Sequence, residues 1–423
     1  MKIRYYNGRV LTMQKPLQII EAEVWTADDM ISYIGPEKTV MPLFDQEIDL
    51  NGNLLMPGFK NAHSHSAMTF LRSYADDKAL NEWLYESVFP NEAKLDSDAV
   101  YWMSRLAFME YLAGGITACF DMYMHLDGFT AAQADSGFRC VLCGGANDFG
   151  GTAESTAYEF EKYNHMNPLL SYQMGFHAEY TTSPALMKEL AEVARAYKQP
   201  MYCHNSETED EVKGCIERYK TTPTAYMESI GMFEYGGGGF HCVYLSDEDK
   251  EIFKKRKMHI ITNPASNTKL ASGIAPLWEY DALGINLGIG TDGAASNNSL
   301  NMFKEMYLAS GLSKLLSKDP KAMPAEKVLY AATAGSALAM GLEDCDVLAE
   351  GKQADMVEIN MHMPNMKPEH DIIKNLVYSA GNQNIKRTVI AGKILYDNGK
   401  YNIGEEPEVI YNKVEAIKTK LFA

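Results

Sequence analysis

The chain has 423 residues, 46% hydrophobic and 22% charged, enough to bury the core of one large α/β barrel with an accessory piece, or of two or three domains. Its 39 Lys and Arg against 56 Asp and Glu leave a formal charge of −17, which repels nucleic acid and anionic membranes and leaves small neutral or zwitterionic molecules as ligands. No stretch approaches the roughly 18 apolar residues that span a bilayer, and the start MKIRYYNG has no apolar signal core, so a soluble cytoplasmic protein is expected.

Residues 1 to about 53 read as short strands separated by turns at Asn7-Gly8, Gly35-Pro36 and Asn51-Gly52, a small antiparallel unit. Beyond residue 57 the texture changes to short apolar strands alternating with longer helical stretches. Strands are expected over 58–62, 116–121, 138–144, 170–176, 200–203, 239–242, 258–262 and 286–290, with helices such as 186–197, 247–257 and 300–316 between them. Eight such units over roughly 290 residues have the size of a (β/α)8 TIM-like barrel. A doubly wound sheet is the rival, but no Gly-x-Gly-x-x-Gly turn follows a first strand. The glycine run 236–239 has no helix behind it and reads as a loop, not a phosphate cradle. Strand texture returns at 355–359 and 387–396, so the termini are expected to build one discontinuous β-sandwich, 1–56 with 347–423 and a C-terminal helix, around a barrel of 57–346.

The seven cysteines, at 119, 140, 143, 203, 215, 242 and 345, are odd in number and scattered, which fits reduced thiols better than a disulfide framework. Cys140-x-x-Cys143 has no second pair and lies in a strand, so it is a poor metal or redox candidate.

Five of the 10 histidines stand at the carboxyl ends of these strands: His63 and His65 after the first, then His177, His204 and His241, with Asp292 following the last. In a barrel those ends share one mouth, where the chemistry sits. Strand geometry turns His63 and His65 to the same side. Alone, that pair does not distinguish a metal site from a surface or core role. Joined by His204 and Asp292 it gives three or four N/O ligands with a position left open, the pattern of a catalytic divalent ion such as Zn2+ rather than a closed structural site. Glu207, three residues past His204, can reach a metal-bound water as a proton shuttle, or can be a first-turn helix acid. The strand-end position of His241 favours contact with the reacting group over a core role.

Pro57-Gly58-Phe59-x-Asn61-x-His63-x-His65, His204-x-x-Glu207, His241-Cys242-Val243, NPASNTKLASGIAP (263–276) and LGIGTDGAASNNSLNMFKEM (287–306) resemble the amidohydrolase superfamily. Within it they are most similar to the methylthioadenosine/S-adenosylhomocysteine deaminases, relatives of the triazine chlorohydrolases and guanine deaminases, and the similarity runs almost the whole chain. The resemblance implies a metal site of His63, His65, His204 and Asp292, with Glu207 and His241 as acid/base and orienting groups. It further implies that His177 contacts the substrate base and that Glu92 binds the ribose hydroxyls. One superfamily branch bridges two metals with a carboxylated lysine after the fourth strand; here Phe176-His177-Ala178-Glu179 has none, so one ion, most simply Zn2+, is expected.

The implied activity is hydrolytic deamination of an adenine nucleoside: methylthioadenosine, 5'-deoxyadenosine, adenosine or S-adenosylhomocysteine. Relatives that accept S-adenosylhomocysteine hold its carboxylate with arginines after the third strand, whereas this chain reads CGGANDFGGTAES over 143–155, with no Arg or Lys. Arg139, at the far end of that strand, and Arg72 are the nearest substitutes in sequence. Hydrolases of guanine, pterin or triazine rings would share every ligand, and a non-catalytic barrel is a second alternative. The expected partner is a small nucleoside, with the oligomeric state open.

Overall fold

The computed structural model describes residues 1–423, apart from the side chain of residue 81. Eight parallel strands lie side by side in chain order: β1 (Phe59–Ser64), β2 (Ile116–Met122), β3 (Arg139–Cys143), β4 (Leu170–Ala178), β5 (Met201–Asn205), β6 (Gly237–His241), β7 (His259–Thr262) and β8 (Asn286–Ile289). Helices fill the connections, so both faces of the strands are covered and the strands are apolar nearly throughout. Ala62, Phe120, Val141, Tyr202, Phe240 and Ile261 pack inside the ring. The ring closes through polar contacts: the Asp292 amide donates to the His63 carbonyl at 2.9 Å, and the Thr291 amide to Asn61 Oδ1 at 2.8 Å. The expected (β/α)8 barrel is therefore present.

The reading of the glycine run is corrected. Gly237, Gly238 and Gly239 are not loop but the body of β6. A Cβ at Gly237, whose φ is +138°, would lie 1.9 Å from the Met201 carbonyl oxygen, and one at Gly238 would lie 2.6 Å from the Tyr202 ring. The glycines let β6 press against β5 where any side chain would collide.

The termini build two further sheets. Lys2–Tyr6, Glu23–Ala27, Met30–Gly35 and Gln46–Asp49 form one. The other combines Arg9–Leu11, Ile19–Glu21 and Leu54–Pro57 with Met356–Ile359, Ile385–Ile390, Lys393–Asp397 and Lys400–Tyr401. Ile3, Tyr5, Val24, Leu55, Met356 and Val389 share a core of their own. The unit is not purely antiparallel as expected. Lys2–Tyr6 runs parallel to Gln46–Asp49, and Arg9–Leu11 parallel to Leu54–Pro57, because each partner returns after an intervening hairpin.

A buried ionic tie joins this unit to the barrel floor. Arg139, at the start of β3, donates to both Asp355 oxygens (2.7 and 3.0 Å), and Lys60 Nζ lies 3.7 Å from the same carboxylate. The helix Pro407–Leu421 rests on Ser97–Ala113.

Candidate active site

The strand ends at the opposite mouth bring the predicted residues together. His63 is completely buried, stacks on Phe240 at 3.9 Å between ring centroids, and has both ring nitrogens buried without a hydrogen-bond partner. Its ring centroid lies 4.8 Å from that of His65 and 4.9 Å from that of His204. His65 Nδ1 is 2.6 Å from the Met122 carbonyl, and His204 Nδ1 is 2.7 Å from the His177 carbonyl. A carbonyl only accepts, so each Nδ1 carries the proton and each Nε2 keeps its lone pair. That is how a protein prepares an imidazole as a metal ligand.

Asp292 completes the group. Its Oδ1 is 3.3 Å from His65 Nε2 and 3.7 Å from His63 Nε2, and accepts from the Gly293 amide at 2.7 Å. Its Oδ2 accepts from Ser266 (2.6 Å) and Ser296 (3.0 Å). Burial works to raise its pKa, but His65, His241, Ser266 and Gly293 outweigh that and hold it below the ordinary carboxylate value. Burial and the neighbouring imidazoles push His63 well down, so it is a neutral donor.

Glu207 and His241 face this cluster. Glu207 Oε1 accepts from Ser272 at 3.0 Å, and its Oε2 lies 3.7 Å from His241 Nε2. Burial raises the Glu207 pKa, which favours a proton held on the carboxyl. His241 Nδ1 donates to Asn267 Oδ1 at 2.7 Å, leaving Nε2 towards Glu207 and towards Asp292 Oδ2, 3.9 Å away. Ser206, His241 and Asp292 have φ of 53°, 70° and 59°. Such backbone is costly for residues with side chains and concentrates at working sites.

These groups open into a cavity of about 570 Å3, also lined by Glu92 and His177. His177 Nδ1 lies 2.8 Å from the Thr181 hydroxyl, which itself donates to the Ala178 carbonyl at 3.2 Å and so accepts from Nδ1; burial pushes the His177 pKa down to about 4, which leaves Nε2 as a neutral acceptor. Glu92 ends the helix Phe89–Glu92 and is pushed up to about 7 by burial. No lysine or arginine lines the cavity among the described residues. Arg139 is engaged at the barrel floor, and Arg72 with Glu110 and the Asn298 carbonyl. Segment 143–155 supplies Gly145, Ala146, Asn147, Phe149, Gly150, Gly151 and Ser155 to the wall.

Several contributors had no role assigned from sequence. Ser266, Asn267 and Ser272, which hold Asp292, His241 and Glu207 in turn, all lie in the quoted 263–276 segment, so the signal was present without its meaning. Glu211 accepts from the amides of Ser206 (2.8 Å) and Glu207 (2.7 Å), yet reads as one more acid in the first turn of Glu209–Tyr219. Glu305 similarly accepts from the Ala265 amide at 2.9 Å and from Asn297 Nδ2 at 2.7 Å. All seven cysteines are free and buried; Cys140 lies 3.5 Å from Cys119 outside the ring, while Cys143 packs inside it.

Residues 54–395 match the Amidohydrolase family. The chain is 38% identical over 409 residues, 95% of its length and 94% of the relative's, to the 5-methylthioadenosine/S-adenosylhomocysteine deaminase of Pelotomaculum thermopropionicum. It is 36% identical over 425 residues, 98% of each chain, to the 5'-deoxyadenosine deaminase of Methanopyrus kandleri. Among solved structures, an adenosine deaminase from Xanthomonas campestris with bound zinc superposes with a TM-score of 0.93 at 28% identity, covering 99% of this chain and 98% of that one.

Proposed function

This chain belongs to the amidohydrolase family, and we propose that it is a metal-dependent hydrolase that replaces the 6-amino group of an adenine nucleoside with a carbonyl oxygen, releasing ammonia. The observation that carries this is the cluster of buried imidazole lone pairs and one ionised carboxylate beside a protonatable glutamate. His63, His65, His204 and Asp292 would hold the ion. The orphaned nitrogens of His63 and the mixed N/O donor set suit Zn2+. Such an ion, when bound, supplies a water acidic enough to attack at neutral pH.

The protein's own groups do the rest. Glu207 delivers a proton to the ring nitrogen beside the amino-bearing carbon as water adds there. Asp292 Oδ2, already held by Ser266 and Ser296, takes a proton from that water, and His241, fixed by Asn267, aligns it. Return of a proton to the amino group lets ammonia depart. His177 presents a neutral acceptor to the base, and Glu92 accepts from the ribose hydroxyls.

The named relatives act on adenine nucleosides that differ at the 5' position. A cavity wall without cations favours an uncharged 5' group: methylthioadenosine, 5'-deoxyadenosine or adenosine over S-adenosylhomocysteine. A panel of nucleosides and free bases, followed by loss of adenine absorbance and by ammonia release, tests this. Turnover of guanine, a pterin or a triazine with no adenine nucleoside accepted would replace it.

A further inference from the structure

The strand tip that carries two of the candidate ligands is gripped from behind. Ser64 stands between His63 and His65, and strand alternation turns it away from both, out of the ring. Its Oγ lies 2.6 Å from the hydroxyl of Tyr111, on the helix Ser97–Ala113, and 3.2 Å from the Asp292 carbonyl. The same Tyr111 hydroxyl lies 3.0 Å from Ser66 Oγ. Ser66 gives its amide to Asp121 Oδ2 at 2.8 Å and its hydroxyl to the same oxygen. Asp121 is the strand partner of Ser64, and its neighbour Met122 accepts from His65 Nδ1. Ser64, Ser66, Tyr111 and Asp121 are all fully buried.

Burial pushes the Asp121 carboxyl up to about 6, which leaves it ionised at neutral pH. The direction of the chain is then forced. A carboxylate only accepts, so the single Ser66 hydroxyl proton goes to Asp121, Ser66 Oγ accepts from Tyr111, and Tyr111 accepts from Ser64. The charge at its end polarises each bond along it. Asp121 Oδ1 is buried with no hydrogen-bond partner, and Oδ2 bonds to Ser66, so no Lys or Arg offsets the charge by contact among the described residues. Burying a lone carboxylate is costly, and a divalent ion on the adjoining imidazoles would offset it. Resting on the ligand assignment above, we propose that Asp121 and Tyr111 are positioning residues for the metal centre. Through Ser66 and Ser64 they fix the spacing of His63 and His65 from Asp292, and the Asp121 charge favours a cation there. Neither lines the cavity, so neither touches substrate.

Tyr111→Phe deletes the hydroxyl and keeps the ring, and Asp121→Asn keeps the shape and removes the charge. Zn2+ affinity of each metal-free protein is measured by competition with a chromophoric chelator, well below its melting midpoint, and the visible spectrum of the Co2+ form reports ligand geometry. Both variants are expected to bind Zn2+ about 10- to 100-fold more weakly than wild type, with a shifted Co2+ spectrum. Thr388→Val, which deletes a buried hydroxyl bonded to the Leu112 carbonyl at 2.7 Å in the terminal unit, lowers the melting midpoint alone. Wild-type Zn2+ affinity in either folded variant, however far its melting midpoint falls, overturns the assignment and leaves the ligand set intact; so does an equal loss of affinity in Thr388→Val. Where one variant does not fold, the other decides. If wild type itself binds no Zn2+, the ligand set falls and the assignment falls with it.

Discussion

Extending the 5' group of the nucleoside from methylthio to homocysteinyl places a carboxylate and an ammonium in the outer part of the cavity. The wall expected to face it comes from Gly145, Ala146, Asn147, Phe149, Gly150 and Gly151 with Ser155, Asp127 and Glu159, and no lysine or arginine lines the cavity among the described residues. Lys162, the cation beside Asp127, is spent on that residue at 2.6 Å. A carboxylate entering such a pocket loses hydration without gaining the charged donors that replace it best. One or two missing contacts of that kind cost roughly 2 to 4 kcal/mol, which is roughly 30- to 1,000-fold in affinity. The expected result is a kcat/KM for methylthioadenosine or 5'-deoxyadenosine at least about 30-fold above that for S-adenosylhomocysteine, measured side by side by absorbance loss. Asn147→Arg, at the cavity wall, narrows that gap by raising the S-adenosylhomocysteine value. Equal values for the two substrates in wild type would refute the reasoning, because another cation would then have to reach the carboxylate.

His63→Ala or Asp292→Ala abolishes both bound metal and turnover; wild-type metal by elemental analysis in both variants contradicts the ligand assignment. Glu207→Gln retains the metal and loses at least about 100-fold in kcat, and a near-normal rate would move the proton transfer to another group. Glu211→Ala releases the amides of Ser206 and Glu207 and is expected to lower kcat with little change in KM, as read from full substrate curves. Hydrogen bonds from Arg9 and then Lys367 hold Glu369 down at about 2, against an ordinary value of 4.5. Its contribution to stability is present above pH 4.5 and is lost as the pH falls towards 2, so the urea midpoint of Glu369→Gln varies less over that window than that of wild type.

The barrel was legible because its strands, covered on both faces, are runs of apolar residues separated by amphipathic helices, and because the chemistry of a barrel gathers at one end of its strands. His63, His65, His204, His241 and Asp292 could therefore be placed together before any coordinates. What escaped was set by contacts between distant segments. The role of Ser266 depends on Asp292 lying across the mouth, and no local pattern encodes that. Glu211 and Glu305 sit on helices at positions where acids ordinarily face water, and only the fold turns them onto backbone amides. The glycines of β6 misled for the converse reason. Glycine signals a turn by its freedom, but here it is required by the closeness of Met201 and Tyr202. The parallel pairings near the amino terminus were hidden because hairpins between partners leave no trace of strand direction.

The seam where Leu54–Pro57 pairs with Met356–Ile359 also sets a timetable for the chain as it is made. About 300 residues separate the two strands, so at ribosomal rates of about 5 to 20 residues per second the first waits about 15 to 60 s for the second. Throughout that wait Leu54, Leu55 and Met56, which end with no exposure to water, form part of an unfinished apolar edge. That edge is completed only when the strand Met356–Ile359, in the last part of the chain, becomes available. Truncation before residue 356 should accordingly yield insoluble protein rather than a free-standing barrel.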